Sequence, residues 1–411
     1  MTVQGTSTYK WSWASSFHEQ SVELLQPVRW SDTMPRMLAS LNRRSFLLAS
    51  SVGVMTIMQA TGESVGLSDR AVREILTHRV DVEKGATGMA VGIVDHGRRR
   101  VITYGHLGDG DSRSVDGNTL FEIGSVTKVF TALLLAGMAH RHELDFNDPV
   151  DRYLPTGFRT PQRNGRSITL ADLATHTAGL PSFPPVEGNV FDAIGRYSVD
   201  ALRSWLAGFT LTRDPGAQWE YSNVGYTLLG LALANKAGVD FDILLRRRII
   251  EPLELRSTVL DASGEIVRRL AVGHDRKLNP LPPFASGIFA PAGSLRSTIT
   301  DLLSFVKAVM PNSRSQIAPA AQLLLSIRRS ATAVGGDQAL GWEVVSGPSP
   351  FLSKDGVTPG QTASVVLDPM AQTGVVVLSN AFPMKLTAAP SGGVGAADLA
   401  RHLLRPTLPL G

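Results

Sequence analysis

Residues 119–139 read TLFEIGSVTKVFTALLLAGMA. The run up to Gly124 has the character of a strand leading into a helix. From Ser125 to Ala139 the only charged residue is Lys128. A helix over 126–139 would be apolar on nearly every face, so it belongs buried in the middle of the protein. Ser125 opens that helix, where backbone N–H groups are unpaired and the partial charge is positive. A developing alkoxide or oxyanion is stabilised at such a point. Lys128, three residues on, lies on the same helix face. An ammonium there is costly to desolvate, and burial pushes its pKa down. A lysine held in that place must pair or act as a base.

The Ser-x-x-Lys spacing alone decides nothing. With 36 Ser and 8 Lys in the chain, roughly 0.7 matches arise by chance from composition. Three occur: Ser7/Lys10, Ser125/Lys128 and Ser304/Lys307. Ser304 and Lys307 fall on an ordinary amphipathic pattern, and Ser7 lies far from any strong element. Only Ser125 has the strand-to-buried-helix setting.

Working outward, Ser68 can cap a helix with apolar positions Val72, Ile75 and Leu76. Residues 88–95 (GMAVGIVD) and 100–105 (RVITYG) read as strands around a His-Gly turn. From about 150 to 290 helical patterns dominate, at 170–175, 191–207, 222–237 and 241–250, punctuated by Pro and Gly. An amphipathic helix begins at 299 (TDLLSFVKAVM). Strand-like runs follow at 341–345, 362–368 and 374–379, with a last helix near 395–404. Strands first, helices in the middle and strands last imply one sheet split in sequence by a helical insertion.

Two further patterns carry polar groups. Tyr221-Ser222-Asn223 enters the helix at Val224, and no other tyrosine of the six is followed by x-Asn. Ser222 or Asn223 could serve only as that helix's cap. Lys354-Asp355-Gly356 precedes the strand at 362–368. A hairpin turn would explain it equally, and Lys236-Ala237-Gly238 has the same form at a helix end. A glycine at 356 would nevertheless let backbone approach a bound molecule closely.

Composition narrows the classes. The chain has 411 residues, no cysteine and a formal net charge of +4. Beyond residue 60, 35 Lys and Arg face 33 Asp and Glu, so no nucleic-acid partner is expected. A Cys nucleophile, disulfides and thiolate metal sites are excluded. No His-Glu-x-x-His occurs among the nine histidines, and neither a metal nor a cofactor is expected. Near the N-terminus, paired arginines (Arg43, Arg44) precede an apolar stretch from Ser45 to Met58. That stretch is shorter than the about 20 residues a spanning helix needs. It resembles a twin-arginine export signal. The expected organisation is an extension over 1–36, with Met37 as a possible start. A signal segment over 37–62 follows, with Ala60 nearest a cleavage site, and then a hydrolase domain over 63–411. The domain's sheet region covers about 67–150 and 290–411, its helical region about 151–289. Export, to a periplasm or beyond, is the expected localisation, with no stable membrane span after processing.

Taken in order, Ser125-x-x-Lys128, Tyr221-x-Asn223 and Lys354-x-Gly356 resemble the motif set of the β-lactamase and penicillin-binding serine hydrolases. LATHTAGLP (173–181), YSNVGYTLLGLALANKAG (221–238), PAGSLRSTITDLLSF (291–305) and GVVVLSN (374–380) resemble further stretches of that family. The resemblance spans about 69–405 and is strongest to class C β-lactamases and their D,D-peptidase and esterase relatives. It implies an α+β fold, an antiparallel sheet flanked by helices with an inserted all-helical region, and a site at their junction. It implies Ser125 as nucleophile, with Lys128 and Tyr221 as the basic pair that takes and passes its proton. Positive charge on Lys128 and Lys354 is expected to help ionise Tyr221. Asn223 is expected to hold the substrate's amide side chain and Lys128. Lys354 would orient Tyr221 or a substrate carboxylate. Gly356 would admit the substrate, and the backbone N–H groups of Ser125 and Val357 would form an oxyanion hole. His176 is expected to brace a loop.

Two departures bear on substrate. Asp355 stands where class C enzymes carry Thr, and an anion there is unhelpful unless it points away. The Asn and Arg that bind the substrate carboxylate in those enzymes align with Met384 and Thr387, with Lys385 the only nearby cation. The leading expectation is β-lactam hydrolysis through an acyl-enzyme, hence antibiotic resistance. The alternatives are a D-alanyl-D-alanine carboxypeptidase or small-ester esterase of the same family, then a non-catalytic peptidoglycan-binding protein. An unrelated α/β-hydrolase is disfavoured. The partners implied are a small-molecule β-lactam, a peptidoglycan peptide or an ester.

Overall fold

The computed structural model describes residues 66–108, 110–382, 385–386 and 393–410. The extension over 1–36, the expected signal over 37–62, Met384 and Thr387 lie outside the described residues, as does the side chain of Lys385.

In chain order, the described part opens with helix α1 (Asp69–Thr77), capped by Ser68, whose hydroxyl accepts from Ala71 N–H. Strands β1 (Gly88–Asp95), β2 (Arg98–Gly108) and β3 (Asp111–Ser114) follow, then short β4 (Leu120–Glu122) and helix α2 (Thr127–His140). Helices α3 (Leu170–Ala174), α4 (Val190–Gly195), α5 (Val199–Gly208), α6 (Asn223–Ala237) and α7 (Phe241–Leu245) occupy the middle of the chain. There a two-residue pair, β5 (Gly273–His274) and β6 (Pro280–Leu281), interrupts them. The inserted region is therefore not wholly helical as expected. The run expected as one helix over 191–207 is two, because Ser198 caps a second start with its hydroxyl on Ala201 N–H. Helix α8 (Ala290–Gly293), β7 (Arg296–Thr298), α9 (Ile299–Val309) and α10 (Ala318–Leu323) return the chain to the sheet. Strands β8 (Arg328–Ala331), β9 (Gly336–Ala339), β10 (Glu343–Val345), β11 (Phe351–Val357), β12 (Thr362–Asp368) and β13 (Thr373–Ser379) complete it, and α11 (Ala396–Leu404) follows.

The main sheet has nine antiparallel strands in the order β3-β2-β1-β13-β12-β11-β10-β9-β8. Early β1 lies beside late β13, so the sheet closes only when both ends of the chain meet. Successive side chains alternate between its faces. Val91, Ile93, Val375 and Val377 pack with Val72, Leu76, Leu399 and Leu403 of α1 and α11. Ala90, Val94, Val376 and Leu378 pack on the other side with Phe130 of α2 and Leu302 of α9. Both faces are covered, which is why these strands read as nearly unbroken apolar runs.

Every residue of α2 from Thr127 to Met138 is buried. Its start is tied down locally: Thr127 Oγ1 donates to Gly124 O at 2.7 Å and accepts from Leu295 N–H at 3.0 Å. Between β4 and α2 lies one 3-10 turn, Gly124–Val126, and it carries Ser125. The turn abuts β11, an interior strand of the sheet.

Candidate active site

Three separate stretches converge on Ser125. Tyr221 Oη donates to Ser125 Oγ at 2.6 Å. Lys128 Nζ lies 3.1 Å from the same oxygen, 2.7 Å from Asn223 Oδ1 and 2.7 Å from Ala292 O. Lys128 is fully buried, and no carboxylate pairs with it among the described residues. Burial first, and then the charge of Lys354, hold its amine well below the usual lysine range.

Asn223 is positioned by the start of α6. Ser222 caps that helix, accepting from Gly225 N–H at 2.8 Å and donating to Pro181 O at 2.8 Å. The N–H groups of Asn223 and Val224 both reach Ser182 O. Asn223 Nδ2 donates to Ser182 Oγ at 3.1 Å, which orients its Oδ1 toward Lys128. The two readings of Ser222 and Asn223 thus separate: the serine is the cap and the asparagine reaches the lysine.

Lys354, on β11, is also buried, and its Nζ lies 5.1 Å from the ring centre of Tyr221. Lys128 Nζ lies 4.8 Å from that ring. Burial is the largest influence on Lys354 and opposes its charge, but Glu343, 3.3 Å away, and the other acidic groups near it together hold the ammonium above its ordinary range. Tyr221 behaves differently from expectation. Burial raises its pKa above the usual phenol value, and Lys354 and the Ser125 hydrogen bond only partly counter this. Lys128, whose ammonium form the same burial disfavours, is not among the groups that lower the phenol's pKa. The resting phenol is protonated.

Gly356 and Val357 meet Ser125 through backbone. A Cβ on Gly356 would stand 1.9 Å from Ile123 O and 2.9 Å from Ser125 N. On Gly124, whose φ is +48°, it would stand 2.6 Å from Val357 N. Only glycines allow β11 and the 3-10 turn to touch, and their contact brings the peptide groups of residues 125 and 357 together. Asp355 points away, as alternation along a strand requires. Its carboxylate accepts from Arg401 of α11 at 2.7 Å and from Ser364 at 2.6 Å.

Glu343, Ala292, Gly124 and Ser182 were not singled out from sequence. Ala292 and Gly124 act through backbone and leave no side-chain signal. Glu343 was visible as a lone carboxylate within LGWEVV, a sign of a buried partner. The disfavoured α/β-hydrolase cannot be dismissed for lack of its Gly-x-Ser-x-Gly motif, since Gly62–Gly66 has that form. What counts against it is the antiparallel pairing throughout the described main sheet, since an α/β-hydrolase sheet is built mainly from parallel strands.

A family model described as Beta-lactamase matches residues 69–391. The chain is 29% identical over 334 residues to the D-alanyl-D-alanine-carboxypeptidase/endopeptidase AmpH of Escherichia coli strain K12, covering 78% of this chain and 85% of that protein. It is 27% identical over 304 residues to a beta-lactamase of Pseudomonas fluorescens, covering 72% of this chain and 80% of that one. A solved class C beta lactamase from Rhodobacter sphaeroides matches with a TM-score of 0.68 and 26% identity, covering 77% of this chain and 95% of that one.

Proposed function

The chain belongs to the beta-lactamase family, and from that membership we propose that it is a serine hydrolase that opens β-lactams through an acyl-enzyme on Ser125. The observation that carries the reading is the double contact on Ser125 Oγ, 2.6 Å from Tyr221 Oη and 3.1 Å from Lys128 Nζ.

Burial favours the neutral form of Lys128, and the proposed proton path starts from that form. A neutral amine has two N–H donors and one lone pair. Lys128 spends its donors on two carbonyl oxygens, Asn223 Oδ1 and Ala292 O. The lone pair is left for the Ser125 hydroxyl proton. Tyr221 O–H donates to the same oxygen from the other side. Acylation then proceeds in balance. Ser125 gives its proton to Lys128 as its oxygen bonds to the substrate carbonyl carbon, and the carbonyl oxygen takes the negative charge against the N–H groups of Ser125 and Val357. When the C–N bond breaks, Tyr221 gives its proton to the leaving nitrogen and regains one from Lys128. Water, giving a proton to the same pair, then bonds to the acyl carbon, and that proton returns to Ser125 as its bond to the carbon breaks. The Lys354 ammonium, kept charged by Glu343, sits beside the phenol to orient it or a substrate carboxylate, and Asn223 has a place for the substrate's amide side chain.

A second reading is hydrolysis of D-alanyl-D-alanine peptides, supported by the likeness to AmpH. Both readings need only a small molecule or peptide substrate. Among the described residues no helix is long and apolar enough to cross a membrane. Export by the segment at 37–62 belongs to the same proposal, and N-terminal sequencing of mature protein tests it.

The deciding experiment is intact-mass spectrometry after mixing with penicillin, beside turnover of a chromogenic cephalosporin, a D-alanyl-D-alanine peptide and a p-nitrophenyl ester. A transient adduct on Ser125 with cephalosporin turnover is expected. A persistent adduct with release of D-alanine favours the peptidase reading. Ester turnover with no adduct, or labelling undiminished in Ser125→Ala, would overturn both.

A further inference from the structure

Tyr221 precedes the N-cap of α6, so the helix's own ladder does not hold it. The residue that does is His176. The His176 carbonyl accepts from Glu220 N–H at 2.7 Å, and its Nδ1 lies 3.1 Å from Ser222 N. These two peptide groups flank Tyr221 on either side. The imidazole also lies against the phenol, with ring centres 4.5 Å apart. His176 reaches both groups at once because its backbone is left-handed, with φ +59°.

A backbone N–H can only donate, so Nδ1 must be bare and the proton must sit on Nε2. Nε2 is buried and has no hydrogen-bond partner among the described residues. The titratable groups against the ring are Tyr221 and Tyr226, and burial first, then the charge of Lys354, lowers the pKa of the imidazole. Each disfavours or cannot support an imidazolium, so the accepting form persists. A brace for the loop alone would need the carbonyl contact and no particular ring nitrogen.

We infer that His176 is a positioning residue for Tyr221, gripping the peptide groups before and after it so that the phenol stays on Ser125 Oγ and aimed at the leaving group. This rests on the proposed role of Tyr221 as proton donor. A misplacement of about 1 Å in such a group can cost on the order of 10²-fold in rate.

The test compares two variants with two substrates. His176→Asn keeps an acceptor near Nδ1 and tolerates a left-handed backbone. His176→Phe keeps a ring and removes the acceptor. A β-lactam needs a proton on its leaving nitrogen, whereas p-nitrophenolate leaves without one. We expect His176→Phe to lower acylation by a fluorescent penicillin about 10²-fold. The loss with a p-nitrophenyl ester is about tenfold or less. His176→Asn should recover most of the penicillin rate. Equal losses on both substrates, or equal losses in both variants, would overturn the inference. Should His176→Phe not fold, nitrogen NMR of the unaltered protein decides: a neutral ring protonated on Nε2 is expected from pH 5 to 8, and protonated Nδ1 overturns the grip. Absence of label on Ser125 in the unaltered protein would instead sink the parent reading, and this inference with it.

Discussion

Burial without a carboxylate partner lowers the pKa of an amine, and Lys128 is such a case among the described residues. Its ammonium form is opposed by burial and then by Lys354. The sign follows directly: as pH falls, Lys128 gains a proton, its lone pair disappears and Ser125 has nowhere to send its own. Acylation should therefore fall on the acid side, with a midpoint well below the ordinary lysine value of 10.5, and run flat above it. The acylation rate constant measured against pH checks this, and a rate still climbing through pH 10 would contradict it. Lys128→Met, of similar length but without a basic amine, should slow acylation by about 10²- to 10⁴-fold, read by rapid mixing with a fluorescent penicillin. Much of this chemistry was legible at the level of residues. Ser125 and Lys128 stand out because a charge in the most apolar helix demands a reason. Tyr221 stands out because its x-Asn spacing is unique among the tyrosines. What stayed hidden works through peptide groups or through register. Ala292 contributes only a carbonyl, and Glu343 meets Lys354 only once β10 and β11 pair Glu343 with Ser353.

At the scale of elements, close backbone contacts set the site, and two glycines mark them. Gly356→Ala would drive a methyl into Ile123 O at 1.9 Å, so β11 must retreat from the turn that carries Ser125. Acylation should drop by about 10²-fold, because one oxyanion donor moves away, while the fold survives at a lower melting temperature. Gly230 of α6 faces Pro291 of α8, whose ring carbons would lie 2.2 and 2.3 Å from a new Cβ. A proline ring cannot rotate aside. Gly230→Ala should destabilise the protein by about 1–3 kcal/mol, read as a shift in the denaturant midpoint, and should also loosen the carbonyl that holds Lys128. Element boundaries were readable where burial is two-sided. The runs at 88–95, 362–368 and 374–379 match β1 and β12 and fall one residue short of β13. Strands β8 and β9 were missed, since Arg328–Ala331 at the sheet edge and Gly336–Ala339 beside it are short and polar, with no apolar alternation to announce them.

Across the whole molecule, the third motif is anchored to the end of the chain. Arg401 on α11 donates to Asp355 at 2.7 Å and to Ser353 at 3.2 Å, so the helix that covers one sheet face also grips the strand carrying Lys354 on its other side. Helix α11 is itself held from the front of the chain, for Arg79 pairs with Asp398 at 2.6 Å and donates to Leu410 O at 2.7 Å. The Arg401–Asp355 pair is largely buried, with side chains 19% and 12% exposed. Removing Arg401 takes the counter-charge from the buried Asp355 carboxylate. Arg401→Met should therefore cost roughly 3 kcal/mol and slow acylation, because β11 can then shift under Lys354. Asp355→Thr alone should also destabilise, since it removes the charge-assisted hydrogen bond that joins strand to helix. The double variant removes both charges and should lie closer to the unaltered protein than either single change. Denaturant midpoints of the four proteins give the coupling directly. If the two single losses simply add, the pair is two independent surface charges, and the C-terminal helix has no hold on the site.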